Sequence, residues 1–174
     1  MPYLRTAHPD EPATRDLLEG LAEEYARLYG EATAGELSTP EADDFTPPRG
    51  VLLLLVDGSE TLAGGGVSPL ADGVAEIKGM WTSPAHRGRG YARRVLVALE
   101  RRAFYLGYRR LRLQTGAASA PALALYRSAG YLPAPPFGGD REESVALVFE
   151  KPLVSPPERI SVRGAPHACS GLAA

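Results

Sequence analysis

The segment from Ser83 to Ala92, read Ser-Pro-Ala-His-Arg-Gly-Arg-Gly-Tyr-Ala, concentrates the residue types best able to hold an anion. Arg87 and Arg89 carry forked donors that match phosphate oxygens, while Gly88 and Gly90 have no side chain to block a close backbone approach. The segment follows an apolar stretch ending at Thr82 and opens a run with Ala92, Val95, Leu96, Leu99 and Ala103 at helical spacing. It therefore presents a helix amino terminus, with free N–H groups and the positive end of the helix dipole, to a phosphate. A Walker loop would end in Gly-Lys-Ser or Gly-Lys-Thr, and a dinucleotide fingerprint would place three glycines after a first strand; neither pattern is present.

The elements that must position this turn can be read along the chain. Tyr3–Thr6 is a short first strand, and Asp10–Tyr29 places Leu17, Leu18, Leu21, Tyr25 and Leu28 on one face of an amphipathic helix. Gly30–Gly50 is polar and proline-containing, a loop or one short helix whose length suggests a functional role. Val51–Val56 and Thr61–Val67 form a hairpin about Asp57-Gly58, followed by a strand at Val74–Thr82. The glycines Gly64–Gly66 predict a distortion of the hairpin, a bulge or a close ligand approach. A helix over Gly88–Leu106, a strand over Leu111–Thr115, a helix over Ala118–Ala129 with Pro121 in its first turn, and a strand over Ser144–Glu150 complete an α/β sheet with helices on both sides. Residues 1–154 read as one domain, and the tail 155–174 lacks periodicity and is expected to pack little.

The chain of 174 residues is long enough to bury a core without disulfides or a structural metal, and its 44% hydrophobic and 23% charged composition is that of a soluble domain. The longest apolar run, Val51–Val56, cannot cross a bilayer. The amino terminus lacks a secretory signal, which predicts a cytoplasmic protein, and the lone Cys169 has no intramolecular disulfide partner. Charge is polarised: Asp10–Asp44 holds eleven carboxylates against Arg15 and Arg27, whereas Arg87–Arg112 holds nine arginines against Glu100. That asymmetry points to an anionic ligand at the second region and a cationic one near the first. An anion at the turn accounts for five of those nine arginines, which lie in or flank it, without a nucleic acid.

These residues resemble the GNAT superfamily of N-acetyltransferases, whose signature Gln/Arg-x-x-Gly-x-Gly/Ala opens the helix after the fourth strand. Arg87, Gly90 and Ala92 match it, EIKGMWTSPAH precedes it, and LALYRSAGYLP is similar to the family's Leu-Tyr-x-x-x-Gly-Phe/Tyr segment. The resemblance runs from about Tyr3 to Leu153. It implies a mixed central sheet, splayed between its fourth and fifth strands and flanked by helices on both faces, with acetyl-CoA as cosubstrate. The pyrophosphate would lie on Arg87, Gly88, Arg89, Gly90, Tyr91 and Ala92, and the pantetheine arm in the gap, paired with backbone around Met80 and Thr82. An amide near Met80 or Trp81 would polarise the thioester carbonyl. Many members carry an asparagine after the fifth strand; here the segment is TGAASAPA, in which Ser119 is the partial substitute.

The resemblance also implies two catalytic positions. Glu76, eleven residues before Arg87, matches a carboxylate that serves several members as general base; otherwise it is a strand carboxylate paired with Lys78. Tyr126 occupies the position of a hydroxyl that protonates the departing thiolate, and a phenol of pKa about 10 suits that task. Its alternative is a core tyrosine among Leu123, Leu125 and Tyr131. His86 reads as an exposed loop histidine, Arg93 and Arg94 as reaching an additional phosphate or lying on an exposed face, and Arg109, Arg110 and Arg112 as surface. Tyr25, Tyr29, the acids of Gly30–Asp44 and Pro135–Gly139 would surround the acceptor mouth. The implied reaction is transfer of acetyl to a primary amine, on a small molecule or peptide, by direct attack in a ternary complex without a metal. The alternative is a non-catalytic acyl-CoA sensor, and a homodimer is left open.

Overall fold

The computed structural model describes residues 1–30, 42–136 and 146–154; the tail expected at 155–174 and the expected mouth residues 31–41 and 137–139 lie outside the described residues. Among the described residues seven strands form one sheet in the order β1-β2-β3-β4-β5-β7-β6. They are β1 (Tyr3–Ala7), β2 (Val51–Asp57), β3 (Glu60–Ala71), β4 (Val74–Thr82), β5 (Arg110–Gly116), β6 (Leu132–Pro133) and β7 (Ala146–Pro152). Helix α1 (Pro12–Tyr29) precedes β2, α2 (Tyr91–Tyr105) links β4 to β5, and α3 (Ala120–Ser128) follows β5.

The apolar run of β2 is buried on both faces, which is why it does not alternate with polar residues. Leu53 and Leu55 pack with Val95, Leu96, Leu99 and Ala103 of α2 and with Tyr126 of α3. Leu52, Leu54 and Val56 pack with Leu17 and Leu21 of α1. The sheet is thus enclosed by α1 on one face and by α2 and α3 on the other. Among the described residues no helix is long and apolar enough to cross a membrane.

β1 to β4 run antiparallel to one another, and β5 pairs antiparallel with β7. The two groups meet through the parallel pairing of β4 with β5, which runs from Val74↔Arg110 to Ile77↔Leu113 and stops. Beyond it Lys78–Thr82 and Gln114–Gly116 continue without pairing to each other, so the sheet is splayed. A bulge on β4 contributes to this. The register with β3 moves from Gly64↔Trp81 to Gly66↔Lys78, and the extra residue is accommodated at Gly79, whose φ is 64°. One extra residue exchanges the two faces of the strand: Ile77 and Met80 pack on the α2 side, Trp81 on the α1 side.

Several sequence expectations shift. Helix α2 begins at Tyr91 rather than Gly88, because the turn before it is built on left-handed glycines. β3 extends through Pro69 to Ala71; its pairing with β2 ends at Val67, so the proline faces no partner on that side. The two-residue β6 was not expected. Gly64–Gly66 serve packing as well as the bulge: a Cβ at Gly64 would enter the Leu17 side chain, one at Gly66 the Phe45 ring, and one at Gly65 would lie 2.5 Å from Met80 Sδ.

Candidate active site

The turn ahead of α2 takes its shape from two glycines. Gly88 and Gly90 have φ of 75° and 76°, and a Cβ at either would meet nothing within 4 Å. Backbone conformation, not room, is what requires glycine there. Gly90 caps α2 with no side-chain bond, and the first turn holds no acidic residue. The first amides of the helix therefore have no acceptor among the described residues. Guanidinium groups near the turn are less free than the sequence suggests. Arg87 donates to Glu24 of α1 at 2.7 Å and to the Thr82 carbonyl at 3.3 Å. Arg93 bonds the Ser128 hydroxyl and Arg94 the Pro2 carbonyl.

The splay opens a cleft of about 930 Å³ that begins at this turn. Of the residues singled out from the sequence, Met80, Trp81 and Thr82 form the β4 wall, Ser119 and Tyr126 the α3 wall, and Arg87, Gly88, Gly90, Tyr91 and Ala92 one end. Glu76 lines it toward the closed end, where β4 and β5 still pair. Arg89 alone of that set does not line it. The first-helix tyrosines Tyr25 and Tyr29 and the loop residue Pro136 also reach the cleft.

Glu76 is 13% exposed and lies 3.6 Å from Lys78 Nζ, which in turn sits 3.1 Å from Asp44. Burial raises its proton affinity; Lys78 opposes the rise, Asp44 adds to it, and Arg112 opposes it. Arg112 is not the surface residue expected from the sequence. Its side chain is 17% exposed, in register between Glu76 and Glu150 and 3.6 Å from the latter, because inward-facing Leu111 and Leu113 fix the strand's phase. His86 is likewise covered rather than exposed, 17% accessible and 3.5 Å from Glu60.

The Tyr126 ring is buried and meets Tyr131 edge-on at 5.8 Å. Burial, with a smaller contribution from Tyr25, pushes its phenol well above the ordinary value, so it stays protonated but is a weaker acid than the free phenol expected from the sequence. Burial also pushes Tyr25 up to about 12, assisted by Tyr29 and Glu24. Two hydroxyls along the cleft, those of Thr82 and Tyr29, are buried without a hydrogen-bond partner among the described residues. From the sequence Thr82 has only a backbone role and Tyr29 lies at the mouth; no local pattern marks a hydroxyl whose surroundings come from another element.

The model of the acetyltransferase (GNAT) family matches residues 15–131. The chain belongs to the GNAT acetyltransferase family. Its sequence is similar to the IAA acetyltransferase of Azospirillum brasilense, 30% identical over 145 residues that cover 82% of this chain and 95% of that one. Its fold is similar to that of an acetyltransferase from Streptococcus agalactiae, with a TM-score of 0.70 at 14% identity, covering 87% and 98% of the two chains. It is also similar to the PaiA N-acetyltransferase of Thermoplasma acidophilum in complex with coenzyme A, with a TM-score of 0.68 at 15% identity, covering 87% and 99%. In this GNAT chain the parallel seam, the splay and the turn before α2 stand in the order expected for the family from the sequence.

Proposed function

We propose that the protein transfers the acetyl group of acetyl-CoA to a primary amine, on a small molecule or peptide, by direct attack within a ternary complex. The observation that carries this reading is the continuity of one cleft, from the acceptor-less amides at the start of α2, between β4 and β5, to Glu76 and Tyr126. The donor set fits a CoA thioester: amides at a helix amino terminus for its diphosphate, an unpaired strand edge and orphaned hydroxyls for its amide-bearing arm.

Acetyl-CoA would supply the activated thioester. The amides of Arg87 to Ala92 hold the diphosphate, with the Arg89 guanidinium close by, while the Arg87 guanidinium ties the turn to α1 through Glu24. The unpaired edge of Lys78–Thr82 takes the arm as an added strand, Ser119 faces it from α3, and an amide at Met80 or Trp81 polarises the carbonyl oxygen. Glu76 accepts the proton that the ammonium must lose, directly or through a water. The amine nitrogen bonds the acyl carbon, the C–S bond breaks, Tyr126 gives its proton to the departing sulfur, and the second proton lost by the nitrogen returns through solvent to the Tyr126 phenolate. The reaction requires no metal and no covalent enzyme intermediate.

Following free thiol after mixing the protein with acetyl-CoA and a panel of amines tests the reading. Thiol release that depends on both partners is expected; CoA binding without release for any amine would make the protein a sensor. Tyr126→Phe should lower kcat by about 100-fold, within the usual range for losing an acid–base group, with CoA affinity little changed. An unaltered kcat would remove Tyr126 from the chemistry.

A further inference from the structure

The Tyr29 phenol projects from the last turn of α1, a helix that packs on β3 and β4, to the far side of the cleft. Its oxygen lies against Gly116 at the end of β5, so closely that a Cβ on Gly116 would collide with it. Gly116 belongs to the part of β5 that has left β4, so the hydroxyl spans the opening of the splayed sheet. That oxygen is buried and has no hydrogen-bond partner among the described residues. The nearby Ser119 amide does not provide one, because its hydrogen is committed to the Gly116 carbonyl at 3.0 Å. A buried hydroxyl left unpaired costs stability, and natural structures retain few of them without a ligand or water to satisfy them. Here the hydroxyl borders the cleft rather than the core, and as a phenol it offers a single O–H donor to an acceptor placed between the walls.

We infer that Tyr29 is a binding residue for the acyl donor, its hydroxyl donating to a carbonyl oxygen of the donor's amide-bearing arm as that arm passes Gly116. The inference rests on the proposed use of a CoA thioester and adds to it a contact that α1, rather than the β5–α3 segment, supplies. Thr82 presents a second orphaned hydroxyl from the β4 wall, so both sides of the cleft lack polar partners that an amide-bearing chain can provide. Gly116 is then glycine because the phenol occupies the space of its side chain.

Calorimetry on the full chain separates this from the parent reading by using two probes, coenzyme A and 3′-phosphoadenosine 5′-diphosphate, the nucleotide end of coenzyme A without its arm. Wild-type protein should bind both. Tyr29→Phe should bind coenzyme A about tenfold more weakly, the usual scale for one buried hydrogen bond, and the armless nucleotide with unchanged affinity. Retained nucleotide binding also shows that the variant is folded. Gly116→Ala, which displaces the phenol, should reproduce the arm-selective loss. Coenzyme A affinity unchanged in Tyr29→Phe, or an equal loss for both probes, overturns the inference while leaving the proposed function intact. Failure of wild-type protein to bind coenzyme A removes the proposed function itself.

Discussion

Glu76, proposed as the general base, sits where its ionisation works against the fold. Its carboxyl holds its proton more tightly when folded than when unfolded, chiefly because it is buried. Ionisation therefore opposes folding: the penalty is absent below the ordinary carboxylate range and fully present once pH exceeds the folded value. Glu76→Gln should melt at an equal or higher temperature than wild type at neutral pH, with the gain vanishing as pH falls through the carboxylate range. The same variant should lose the acid limb of the kcat/KM profile. A lower melting temperature together with an unmoved acid limb would assign Glu76 to its contact with Lys78 alone. The cleft positions of Glu76 and Tyr126 were legible because each stands at a fixed offset from a motif. Tyr29, Arg112 and the Arg87–Glu24 pair were not, since their surroundings come from residues distant in sequence and no spacing rule reaches them.

At the scale of elements, helix placement depends on small residues that propensity alone would misjudge. Gly20 lies inside α1, where Gly→Ala normally gains up to about 1 kcal/mol. A Cβ at this position would stand 2.5 Å from the Trp81 ring, which lies on the α1 face only because the bulge at Gly79 exchanges the faces of β4. Overpacking costs about 1–3 kcal/mol and should win, so Gly20→Ala is expected to lower the melting temperature in thermal denaturation. An increase would show that α1 can lift without loss. The helices and most strands were readable from apolar period, yet the bulge was hidden because a single glycine in EIKGMWT reads equally as a regular strand residue. The start of α2 was misjudged for a related reason: periodicity marks the apolar face but not the dihedral angles of the turn before it.

Across the whole molecule, the polarised charge of the sequence becomes a set of ties between distant parts. Acidic α1 meets the basic turn through Glu24 and Arg87, and Glu100 of α2, 2% exposed, bonds Lys151 of β7 at 2.8 Å. The second tie joins a helix packed on β2–β4 to a strand of the other half of the sheet. Lys151→Ala would leave Glu100 buried without its cation and should cost about 2–3 kcal/mol, somewhat below the usual figure because Lys151 is partly exposed and Tyr131 stays beside the carboxylate. Replacing both with apolar residues of similar size should restore most of that stability in chemical denaturation; equal loss in the single and double variants would deny the pair this role.

The seam between Val74–Ile77 and Arg110–Leu113 is the only backbone ladder joining the two half-sheets among the described residues, and it is short. The molecule resembles a book held by a brief spine, with its page edges open beyond it. Any extended guest laid along those edges lengthens the spine, so the protein resists unfolding most while loaded and is most vulnerable to heat and proteases between turnovers.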